Sequence, residues 1–120
     1  MNTTKAFIFT SRLFGILALC VGIAYWLGYD VPLELHMGLG VLLVIAVWGL
    51  AVLAREQATQ LALIAALWAA IVPVLGLLQV HLPLGETSWL LRVLHVVAGV
   101  GAIGLAEALN KRIKRIAITG

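Results

Sequence analysis

The sequence predicts an all-α membrane protein: a single four-transmembrane-helix up-and-down bundle covering residues 1–120. Three observations carry that expectation. Of the 120 residues, 63% are hydrophobic and only 11% are charged, against about 45–50% and about 25% in a soluble domain. Mean hydropathy is +1.13. Four apolar stretches, near 13–29, 33–54, 58–80 and 88–108, each approach the roughly 20 residues a helix needs to cross about 30 Å of hydrocarbon. These features exclude an ordinary soluble enzyme, a disordered tail and a nucleic-acid-binding module, and they leave no room for a second domain.

A secretory signal competes for residues 1–28, but no small-x-small cleavage pattern follows Tyr25-Trp26-Leu27, so the first stretch is read as a span. Pro73 falls inside the third span, where a kink is expected and neighbouring helices satisfy the freed backbone. The connections are Asp30-Val31-Pro32, Arg55-Glu56-Gln57 and His81 to Thr87. Links this short force antiparallel neighbours. The single Cys20 forms no internal disulfide and reads as a small apolar side chain in a helix.

Charge sets the expected direction. Lys5, Arg12, Arg55, Lys111, Arg112, Lys114 and Arg115 fall at one end, and Arg92 alone at the other. The positive-inside bias then puts both termini in the cytoplasm, in a multi-pass protein of a bacterial inner membrane. Net charge is +3. The basic run from Lys111 to Arg115 reads as an anchor on anionic lipid, with the bilayer and not nucleic acid as the partner. Trp26 and Trp89 fall near the outer interface; Trp48 and Trp68 read as packing residues or inner-side anchors.

The second and fourth spans superpose with an offset of 59: Leu35-His36-Met37-Gly38-Leu39-Gly40 on Leu94-His95-Val96-Val97-Ala98-Gly99. Both read His-x-x-x-Gly near the start of a helix entering from the outer side, so two helical hairpins share one plan. In a square bundle these two spans are parallel and diagonal, about 11–14 Å apart given neighbour spacings of about 8–10 Å. That gap fits two imidazoles with a flat metal macrocycle between them, and haem iron commonly takes axial His ligands. His36 and His95 are therefore the expected metal ligands of one haem. Gly40 and Gly99, one turn below on the same faces, leave room for the ring, with Ala98 extending the small lining. Arg92, three residues before His95, is placed to meet a propionate. An ionisable residue two turns inside a span, as His95 is, reads as functional.

Plainer readings stand beside these. A histidine near a helix end is often just an interfacial polar residue, and the glycines can be simple packing contacts; Ala98-x-x-x-Ala102-x-x-x-Ala106 reads that way. His81, ending the third span, reads as exposed or as a supporting residue. Zinc fits less well, because it wants three or four convergent ligands.

The chain resembles one four-helix half of the haem A synthase family, and more loosely other small b-type membrane cytochromes. The resemblance rests on His36 and His95 near the outer ends of the second and fourth helices, on Glu34 shortly before the first histidine, and on Gly76-Leu77-Leu78-Gln79-Val80 at the end of the third helix. It departs from the family in having one half, Met37 where Arg usually follows the histidine, a shorter acid-to-histidine spacing, and no outer cysteine pair. The resemblance implies a haem b held by two histidines; a homodimer would rebuild the two-half arrangement.

The expected function is bis-His haem b binding for electron transfer near the outer face, exchanging with a quinone or an outer-side redox protein past Gln79, His81 and Glu34. The alternative is a non-catalytic structural or assembly subunit of a larger membrane complex. A transporter fits least: Asp30, Glu34 and Glu107 fall near span ends, and Arg12 can snorkel.

Overall fold

In a computed structural model, which describes residues 2–82 and 85–119, four long helices follow one another: α1 (Thr3–Trp26), α2 (Leu33–Ala54), α3 (Thr59–His81) and α4 (Ser88–Thr119), with a single 3-10 turn at Gly85–Thr87 before α4. All four are long and apolar enough to cross a membrane. Of the expected connection between His81 and Thr87, positions 83 and 84 lie outside the described residues.

Helix α2 has the expected bounds and α3 is shifted by one residue, running through Pro73. The other two helices are longer than their apolar stretches. Helix α1 starts at Thr3, not near residue 13, because Asn2 caps it: its side-chain oxygen accepts the Thr4 N–H at 2.7 Å. The buried face then runs through Ile8 and Ser11, ahead of the apolar stretch. At its other end α1 stops at Trp26, short of residue 29. Gly28 takes a φ of 94°, and the Tyr29 N–H folds back onto the Ala24 carbonyl at 3.0 Å, a closure that glycine makes without a Cβ clash. Helix α4 continues past 108 because Ala106, Leu109 and Asn110 stay buried and Ile113 packs on the same core, a stripe at helical spacing beneath the exposed Lys111, Arg112 and Lys114.

The interior is built from small side chains. Ala46, Ala54, Ala65, Ala69, Ala102 and Ala106 are all at most 1% exposed, while Leu63, Leu67, Phe9 and Ile16 are more than half exposed. That is the pattern expected when the solvent is lipid: large apolar groups face out, and close backbone approach holds the helices together. Two indoles cross between helices. Trp48 donates to the Ala66 carbonyl at 3.0 Å and Trp68 to the Ala98 carbonyl at 2.7 Å, so both are packing residues.

The cross-section corrects the square expected from the sequence. Helices α2 and α4 pack directly, while α1 and α3 share no contact among the described residues. The bundle is a flattened rhombus with extents of 53 × 26 × 15 Å, and α2–α4 is its short diagonal.

Both ends of the chain lie at one end of the bundle, where Arg12 of α1 and Glu107 of α4 form a two-point ion pair (Nε–Oε1 2.6 Å, Nη2–Oε2 2.9 Å). The main core fills this basic half: Ile8, Leu43, Val47, Leu50, Ala65 and Leu109 belong to it. The opposite half is thinly packed. None of the described residues in 19–42, 73–82 or 85–97 is fully buried.

Candidate functional site

The thinly packed end holds the two histidines of the internal repeat. Their rings meet edge-on across the short diagonal, with centroids 5.9 Å apart and planes at 73°. Helices α2 and α4 pack directly, which brings the two rings together.

Each ring rests on a glycine of the helix before it. A Cβ on Gly22 of α1 would stand 2.8 Å from His36 Cε1, and one on Gly76 of α3 would stand 3.1 Å from His95 Cε1. His36 Nδ1 lies 2.8 Å from the Ala18 carbonyl. A carbonyl only accepts, so Nδ1–H donates, and Nε2 carries the free lone pair when the ring is neutral. Ala18 is four residues before Gly22. In the second hairpin the buried His95 Nδ1 has no hydrogen-bond partner among the described residues. The two hairpins thus share the glycine beneath the histidine, and the carbonyl bond belongs to the first.

The remaining expected residues fall as follows. A Cβ on Gly40 or on Gly99 would meet nothing within 4 Å, so both open onto free space. Ala98 is buried with Val72 and Ala102, and its carbonyl receives Trp68; it belongs to the α3–α4 contact. The Arg92 guanidinium lies over the Trp26 ring, 5.9 Å from its centroid, within cation–π range. Glu34 and His81 are exposed and Gln79 is half-buried. No group of three or more His, Cys, Asp or Glu side chains able to hold a bare metal ion occurs among the described residues.

The sequence reading missed Gly22 and Gly76 as supports of the rings. The sequence carries no signal for them: Gly22 and Gly76 are 54 residues apart, off the 59-residue offset of the histidines, and positions 18 and 72 share no residue type. Comparison of the chain with protein-family models, with curated proteins and with solved structures finds no match in any of the three.

Proposed function

We propose that the chain is a haem b-binding integral membrane protein, with His36 and His95 as axial ligands, that carries electrons near the outer face of a bacterial inner membrane. The observation that carries this reading is the pair of imidazoles 5.9 Å apart at the end of the bundle that lacks a filled core. Two imidazoles this close on neighbouring helices would hold one haem group together.

The donor set suits the group. His36 keeps Nε2 available because Nδ1 donates to Ala18, the usual way a second partner fixes a ligating imidazole. Gly40 and Gly99 keep space open one turn below. Arg92 on the same face as His95 supplies a cation for a propionate. Haem b, held by His36 and His95, would supply a one-electron iron couple suited to electron transfer. The chain's own residues hold, orient and shield: the imidazoles are fixed by neighbouring backbone, and the apolar flanks of α2 and α4 keep water away.

The seven-to-one distribution of Lys and Arg supports cytoplasmic termini and a redox partner, quinone or protein, on the far side. A reduced-minus-oxidised absorption spectrum of the purified chain, before and after adding haemin, tests the reading. A Soret band that His36→Ala or His95→Ala abolishes is the expected result. No Soret band in either sample, or unchanged haem content in both variants, overturns it.

A further inference from the structure

Each histidine ring rests against a glycine of the preceding helix, although only His36 also has a hydrogen bond from its Nδ1. Gly22 stands under His36 and Gly76 under His95, with hypothetical Cβ distances of 2.8 and 3.1 Å to the Cε1 atoms. Contact below 3 Å cannot be accommodated unless the ring moves. In contrast, Gly38, Gly40, Gly99 and Gly104 would accept a Cβ with nothing inside 4 Å. Close approach to an imidazole therefore separates Gly22 and Gly76 from these four.

We infer that Gly22 and Gly76 are a matched pair of positioning residues: each seats one imidazole against the backbone of the preceding helix, so that its Nε2 is turned toward a ligand shared with the other ring. The identity of that ligand rests on the haem reading above; the seats themselves do not. A methyl group on Gly22 displaces the His36 ring away from α1 and breaks the 2.8 Å bond from Nδ1 to the Ala18 carbonyl. The ring then loses the group that selects its tautomer, and the form protonated at Nε2, the commoner one in water, takes over. That form has no lone pair to offer at Nε2. Gly76 acts on His95 through ring contact alone, since its Nδ1 has no hydrogen bond to break, and more weakly, because its clearance is 0.3 Å larger (3.1 against 2.8 Å).

The test uses the full chain in lipid nanodiscs, with isotope-labelled histidine and ring-nitrogen NMR shifts read without any metal or haem present. His36 of the unaltered chain is expected in the Nδ1–H form. Gly22→Ala shifts His36 toward the Nε2–H form and leaves His95 in place. Gly76→Ala perturbs His95 alone and by less, and Gly38→Ala changes neither. An Nε2–H form at His36 in the unaltered chain overturns the inference even if a variant fails to insert, as does a Gly22→Ala spectrum with His36 unmoved. Titration with haemin is a separate arm. If the unaltered chain takes up none, the haem reading fails and the NMR alone decides the seats. If it binds, Gly22→Ala weakens binding by about 10- to 100-fold, the usual cost of losing a ligand's supporting partner; unchanged binding overturns the positioning role.

Discussion

Trp68 of α3 donates its indole N–H to the Ala98 carbonyl of α4 at 2.7 Å and lays its ring over Gly101 of the same helix, where a Cβ would stand 2.8 Å from Cζ2. Gly101→Ala is therefore expected to destabilise the bundle by about 1–3 kcal/mol, the range for overpacking a close contact. Trp68→Phe removes the donor and part of the indole packed on Gly101, and costs about 1 kcal/mol or more. Gly104→Ala, three residues on and facing open space, is neutral or stabilising. Denaturation in mixed micelles followed by circular dichroism gives the three values, and Gly101→Ala matching Gly104→Ala would contradict this account.

Phe7 of α1 and Gly49 of α2 meet in the same way at the basic end, with ring carbons 2.5–2.7 Å from the position of a Cβ on Gly49. Gly49→Ala alone lowers stability. Adding Phe7→Ala recovers part of that loss, because the ring that must move is gone. Strictly additive effects in the double variant would show that the contact is not the cause.

The Arg12–Glu107 pair ties α1 to α4 with two parallel hydrogen bonds. Removing one partner leaves the other charged group at the lipid boundary. Arg12→Ala and Glu107→Ala should each lower the melting temperature, and the double variant should be no worse than the poorer single. The exchange Arg12→Glu with Glu107→Arg should recover part of the loss. Additive losses would mean that the two residues act separately.

On the proposed haem reading, Gly40 and Gly99 separate folding from binding. Gly40→Leu and Gly99→Leu start from open space, so helix content and thermal stability should hold while haemin uptake falls. Retained uptake in both variants would remove these glycines from the binding site.

Some of this was legible from the order of residues and some was not. The spans were, because crossing about 30 Å of hydrocarbon demands a length and polarity that no soluble helix needs. The ends of α1 and α4 were not. They are set by Asn2, Gly28 and the Leu109–Ile113 stripe, where capping and packing rule instead of hydropathy. His36 and His95 stood out because His-x-x-x-Gly recurs at matched depth. Their separation did not, since it depends on which diagonal of the bundle closes, a choice made by alanines and glycines that look alike in sequence. The chain has 12 glycines; only packing reveals that Gly22 and Gly76 carry rings while Gly40 and Gly99 face open space.

The ion pair at the basic end also constrains how the chain is made. Its partners are 95 residues apart, so at about 5–20 residues per second a ribosome needs roughly 5–20 s after Arg12 to reach Glu107. Through that interval Arg12 is without the carboxylate that holds it in the finished bundle. The strap joining first helix to last therefore closes only when synthesis is nearly done.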